Sequence, residues 1–143
     1  MKTSDEICIL NLVFGYAEAI DQGNFEAAAA ILSDADIYLR NGQTIGSTQL
    51  LEIWRKLVII YEDGTPRTKH VVTNPILEIV DQQAECRSYY SVFQQTEDFP
   101  LQMIASGRYK HQFEKRDGKW RITKLDYSLV DFEGDLSCHL RNR

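Results

Sequence analysis

Three histidines are present, His70, His111 and His139, and histidine is the side chain whose ordinary pKa suits proton transfer near neutrality. His70 falls, by pattern, on the inward face well within a continuous strand. In Arg67-Thr68-Lys69-His70-Val71-Val72-Thr73-Asn74 the charged Arg67 and Lys69 share one parity, and His70, Val72 and Asn74 take the other. Asp21 continues a helical stripe through Phe14 and Ala17, at the C-terminal end of the first helix. A carboxylate there opposes the helix dipole by ~0.3–1 kcal/mol, so it needs a cation or water. Asp21 has two readings. It is a turn residue before Gly23, or it accepts a hydrogen bond from His70. The second would fix the imidazole tautomer, raise its basicity and leave the other ring nitrogen for a substrate proton.

Tyr16 shares the helix with Asp21, and Tyr38 shares a face of a short strand with Arg40. Phenols aimed into an apolar hollow can polarise a carbonyl; equally, they are large core side chains with satisfied hydroxyls. Asn74 either donates to a substrate oxygen or secures a bulge at Pro75. Tyr90 has the parity of Ser88 and Val92, opposite to Tyr89 and Phe93. Leu101, Met103, Ala105, Gly107, Tyr109 and Phe113 share an inward parity, and the small Ala105 and Gly107 leave a hollow or let the strand bend. Trp54 lies on the apolar face of the third helix. Tyr16, Asn74, Trp54, Tyr90, Met103 and Tyr109 are therefore the expected lining of a binding site, with His70, Asp21 and Tyr38 its expected chemical groups. His111 is inward but nears a strand end, where partial exposure is common. Cys138-His139 sits in a tail without a partner motif, so no metal site is expected, and no cofactor. Nucleophile-elbow and phosphate-loop motifs do not occur.

These residues need a frame. Apolar spacing predicts helices over Ser4 to Ile20, with Ile7, Leu10, Phe14 and Ala17 inward, over Phe25 to Leu32, and from Ser47 to about Tyr61. A brief strand falls at 37–40. β-Branched and aromatic residues then predict long strands over 68–80, 84–96, 101–114 and 119–131, with turns at Asp81-Gln82, at 97–100 and at Asp117-Gly118. A phase change in the last strand calls for a bulge near Thr123 or Lys124. Helices followed by an antiparallel meander mean α+β, with the helices covering one face of a curved sheet.

The chain has 143 residues, enough for one domain, taken as 1–143 with a core of about 5–131 and a tail of 132–143. Lys plus Arg number 16 against 21 Asp plus Glu, a net charge of −5 that argues against nucleic-acid binding. Three scattered cysteines suit reduced thiols better than a disulfide framework. With no long apolar run and no secretory signal, neither membrane nor export is expected and the chain is read as cytoplasmic.

Four stretches, Tyr16 to Phe25, Arg67 to Pro75, Gly107-Arg108-Tyr109 and Arg116 to Ile122, resemble the SnoaL-like branch of the nuclear transport factor 2-like superfamily. That branch includes scytalone dehydratase and bile-acid dehydratase, and its relatives include the β subunit of ring-hydroxylating dioxygenases. The resemblance implies a cone: a strongly curved sheet wrapped on helices around a pocket, usually dimerising through the outer face of the sheet. It implies that Asp21 and His70 match the family's Asp–His pair and Tyr38 its early tyrosine. A second histidine used by scytalone dehydratase falls near Gln94 and is missing, and an arginine of the related dehydrochlorinase falls near Leu125. The function implied is a cofactor-independent lyase or isomerase for a small apolar cyclic or polyketide-like compound. The alternative is a non-catalytic ligand-binding or structural subunit. The expected partners are that small molecule and a second copy of the chain, a homodimer or higher homo-oligomer. Ile104, Arg108 and an aromatic of the second long strand are expected on the shared outer face.

Overall fold

Ser4 starts the first helix: its hydroxyl accepts from the Ile7 amide, and Asp5 and Glu6 complement the helix dipole in the first turn. In this computed structural model, which describes residues 2–142, the helix α1 spans Asp5–Asp21. Asp5 also fastens it to the sheet. Its carboxylate accepts from Trp120 Nε1 at 2.9 Å and Lys115 Nζ at 3.1 Å, which holds it below the usual carboxylate range. Ile9, Val13, Tyr16, Ala17 and Ile20 are buried, whereas Ile7 and Phe14 are 49% and 40% exposed. The core face is thus rotated from the expected stripe. Apolar residues occur on most sides of this helix, so spacing alone does not choose the face.

Gly23 turns the chain at φ +76°, where a Cβ would meet the Gly64 carbonyl oxygen at 2.1 Å. Asn24 then caps α2 (Phe25–Ile31) by accepting from the Ala27 amide. Next come β1 (Asp36–Tyr38), β2 (Thr44–Ile45) and α3 (Ser47–Leu57), which stops short of Tyr61. The sheet continues with β3 (Thr68–Val80), β4 (Gln83–Gln94), β5 (Gln102–Arg116), β6 (Lys119–Asp126) and β7 (Val130–Glu133). The single last strand expected over 119–131 is therefore two, separated by Tyr127-Ser128-Leu129. The strand order is β2-β1-β6-β5-β4-β3, with β7 on β5, and the sheet does not close. The architecture is α+β with a curved sheet, as expected. One pairing departs from the antiparallel pattern: β1 runs parallel to β6.

Both two-residue hairpins form where expected. Asp81 has φ 55°, and Asp117 and Gly118 have φ 50° and 77°. Bulges set the rest. β3 bulges between Thr73 and Ile76, at Asn74-Pro75, on the sheet edge. β6 bulges at Thr123, opposite the step from Gln112 to Phe113. A third bulge lies in β5, where Val92 pairs with Ala105 and Phe93 with Met103. The extra residue, Ile104, is fully buried with Val92 and Phe99. This flips the phase of the strand's start, so Leu101 and Met103 are 66% and 50% exposed rather than inward. Ile104 is likewise absent from the outer face where it was expected.

The main core joins Ile9, Val13 and Ile20 of α1 to Leu50 and Trp54 of α3, and to Phe113, Ile122 and Leu125 of the sheet. Among the described residues no helix is long and apolar enough to cross a membrane. All three cysteines are free thiols.

Candidate functional site

Asp21 closes α1 and β3 opens opposite it, so both Asp21 oxygens find partners on that strand. Oδ2 accepts from the His70 amide at 2.7 Å, and Oδ1 accepts from Thr68 Oγ1 at 2.9 Å and meets His70 Nδ1 at 2.6 Å. Hydrogen bonds to a charged group contribute ~1.5–3 kcal/mol each, more than the ~0.3–1 kcal/mol by which the helix end disfavours the carboxylate. The two side chains are 11% and 10% exposed. An ionised carboxylate only accepts, so Nδ1 carries the imidazole proton and Nε2 is left as the acceptor.

His70 faces a cavity of about 410 Å³. Tyr90 and Val92 of β4 and Ala105 and Tyr109 of β5 form one wall. Tyr127 follows β6, and Leu136, His139 and Leu140 come from the C-terminal segment. Exposed Arg40 and Asn41 line the mouth, so the cavity reaches solvent. Arg40 is paired to Glu133 at 2.8 Å, and Arg108 meets Asp131 through two bonds of 3.0 Å.

The aromatic wall has its own order. The rings of Tyr90 and Tyr109 stack at 4.5 Å, and Tyr16 meets Tyr109 edge-on at 6.2 Å. Gly107 permits this. A Cβ there would lie 2.3 Å from the Leu129 carbonyl oxygen and 2.7 Å from the Tyr90 ring. The hollow expected at Gly107 is filled by that ring and that carbonyl. Tyr127 Oη accepts from Tyr16 Oη and from Trp54 Nε1, both at 3.4 Å. Burial raises Tyr16 and Tyr109 well above the ordinary phenol value and pushes Tyr90 up to about 12. These phenols stay protonated and can donate.

Of the expected residues, His70, Tyr90 and Tyr109 line the cavity, and Asp21 stands behind His70. Tyr16 and Trp54 are buried one layer back and reach it through Tyr127. Three residues do not join them. Tyr38 lies beside buried Ile37 in β1, so its side chain takes the other face, with Lys124 Nζ 4.5 Å above its ring. Asn74 is exposed at φ 55° in the β3 bulge, the structural alternative raised from sequence. Met103 is turned out by the Ile104 bulge.

Among the cavity residues not expected from sequence, two carry polar groups into the apolar wall, Tyr127 and His139. Tyr127 was counted in an apolar set with Leu125 and Leu129; its signal was the phase change after Thr123. His139 was placed in an unpartnered tail. Gln94, at the position of the absent second histidine, is buried and donates from Nε2 to the carbonyls of Pro66 and Cys138, both at 3.0 Å. It holds the tail against the cavity.

A search of curated proteins gave no match. Solved structures do match. Rv3472 of Mycobacterium tuberculosis, a protein of unknown function, shares 25% identity over 89% of this chain and 72% of its own, with a TM-score of 0.70. A candidate scytalone dehydratase of Novosphingobium aromaticivorans shares 20% over 92% and 87%, TM-score 0.70. The β subunit of a candidate aromatic-ring-hydroxylating dioxygenase from the same organism shares 15% over 93% and 94%, TM-score 0.66. The last two identities speak for the fold alone. The profile of the SnoaL-like domain, however, matches residues 1–126 and so takes in α1, the Asp21–His70 pair and the sheet through β6; the chain belongs to the SnoaL-like domain family.

Proposed function

We propose that the chain is a cofactor-independent lyase or isomerase acting on a small, largely apolar cyclic or polyketide-like carbonyl compound. The observation that carries this reading is the 2.6 Å contact of Asp21 with His70 at the edge of an open 410 Å³ cavity. Nε2 of His70 takes a proton from the carbon next to the carbonyl, and the C–H electron pair moves into an enolate. The Nδ1 proton stays on the ring, held by the Asp21 carboxylate, whose charge balances the imidazolium. In a lyase, a hydroxyl on the next carbon leaves as water with the proton returned by His70; in an isomerase, that proton returns to another carbon. Tyr127 supports the oxygen: two donors already fill its lone pairs, and its own proton has no acceptor among the described residues. Positioned proton transfer supplies ~10²–10⁴-fold.

The test is exchange of α-protons in D₂O, followed by NMR over a panel of bicyclic ketones. Wild-type protein is expected to accelerate exchange, and His70→Gln to lose the acceleration with its melting curve intact. Equal exchange by the two proteins sinks the mechanism.

The second reading, a subunit without chemistry, draws on the likeness to the dioxygenase β subunit and needs a docking surface, which the outer face of the sheet offers. There Val71, Ser91, Ser106 and Phe132 share a rung, flanked by Tyr89 on one side and Phe93 and Met103 on the other. Phe132, Tyr89, Met103 and Val71 are 42–75% exposed. A second copy of the chain covering this face fits both readings. Light scattering should then give twice the chain mass, reduced to the chain mass by Phe132→Glu.

A further inference from the structure

The C-terminal segment is fastened to the body at several points. Gly134 N donates to Ile104 O at 2.8 Å, and Ile59 N donates to His139 O at 2.9 Å. Arg141 N donates to Leu57 O at 2.8 Å. The Cys138 carbonyl accepts from both Gln94 Nε2 and Tyr61 Oη. These bonds bracket His139 and hold its ring against the cavity that His70 faces. Within the ring, Nδ1 is sealed from solvent and has no hydrogen-bond partner among the described residues.

An orphaned buried N–H costs more than an orphaned lone pair, and buried donors without acceptors are the rarer case in folded proteins. The proton of a neutral His139 therefore belongs on Nε2. Burial, then the neighbouring His70 charge, brings the His139 pKa down to about 4, with Asp21 opposing, so the ring is neutral at physiological pH. The cavity then holds two imidazoles of opposite hydrogen-bonding sense. His70 accepts through Nε2, because its Nδ1 proton is held by Asp21. His139 donates through Nε2, because its Nδ1 is sealed.

The geometry points to His139 as the neutral hydrogen-bond donor that binds the oxyanion formed when His70 takes the substrate's proton, which makes enolates and phenolates the anions this cavity holds best. This rests on the proton-abstraction reading and adds a second donor, beside Tyr127, to the oxygen that receives the charge. A neutral imidazole suits that place, since it stabilises the anion without adding a second cation beside the His70 imidazolium.

Long-range ¹H–¹⁵N NMR of histidine-labelled protein reads the tautomer without any ligand. His139 is expected neutral with its proton on Nε2; a proton on Nδ1, or an imidazolium at pH 7, overturns the assignment. The second arm uses 4-nitrophenol, whose neutral and ionised forms absorb at different wavelengths. His139→Phe is expected to weaken phenolate binding tenfold or more, and His139→Gln, which keeps a donor, to stay within threefold of wild type. Unchanged binding in His139→Phe with weakened binding in His70→Gln removes the role of His139 alone. No effect in either variant, or no binding by wild type, removes the proton-abstraction reading as well.

Discussion

His70 and His111 point to the same face of one sheet, in different rows. His70 aligns with Val92 and Ala105, and His111 with Cys86 and Leu77. His111 is 3% exposed, between the rings of Tyr109 at 5.6 Å and Phe113 at 5.7 Å. The partial exposure expected for it from its place near the strand end is absent. Its Nδ1 has no partner among the described residues, and burial lowers its pKa to about 4. His70 has an acid partner, a cavity and a free nitrogen. Parity assigns both residues inward; the end of α1, arriving at one row and not the other, gives one a carboxylate partner and leaves the other as filling.

The largest expected effect breaks the comparison outright. His70→Gln or Asp21→Asn should cost ~10³-fold in exchange or turnover, whereas His111→Phe, which fills the same aromatic stack, should change it less than twofold. A large loss in His111→Phe with unchanged melting would void the distinction.

The next effect is on stability, and it belongs to His111. The unfolded chain protonates this residue near 6.5 and the folded chain near 4. Between those values the unfolded state binds more protons, so its contribution is complete above pH 6.5 and is lost as pH falls toward 4. A shift of that size corresponds to roughly 3 kcal/mol. His139 acts in the same direction and window. Urea midpoints at pH 7 and 4.5 should differ strongly in wild type, about half as much in His111→Phe, and little in a variant lacking both imidazoles. An undiminished difference in His111→Phe contradicts the burial argument.

Gly107 lies on β5 between the two rows, so it tests the boundary. Gly107→Ala forces its methyl onto the Leu129 carbonyl and the Tyr90 ring, and overpacking of this kind costs about 2 kcal/mol. A fall of several degrees in Tm is expected, with near-ultraviolet dichroism reporting loss of the Tyr90–Tyr109 stack. A variant as stable as wild type would show that the wall yields without cost.

Much of this was legible before folding. His70, the Asp-Gly hairpin and the bulges at Pro75 and Thr123 follow from parity, turn residues and one missing amide. What escaped has physical reasons. The bulge at Ile104 leaves no mark, because Met103, Ile104 and Ala105 are all apolar and either phase buries something. Three-residue β1 is too short for alternation to say which side Tyr38 takes. Tyr127 hid among apolar neighbours, since a phenol satisfies both patterns. His139 reaches the cavity through main-chain bonds and Gln94, and no periodicity encodes those.

The smallest expected effect refines what makes His70 different. Thr68 donates to the same Asp21 oxygen that meets the imidazole. Thr68→Val keeps the shape of this buried side chain and removes one of three bonds on the carboxylate. The stability loss should be about 1.5 kcal/mol, the low end for a bond to a carboxylate. Asp21 keeps both contacts with His70, so the dyad survives with a less constrained carboxylate, and exchange should fall severalfold rather than a thousandfold. A urea titration and the same exchange assay read the two numbers together. Full activity in Thr68→Val would mean that the two contacts with His70 orient Asp21 unaided. A loss as deep as that of Asp21→Asn would instead place the hydroxyl on equal footing with the acid it supports.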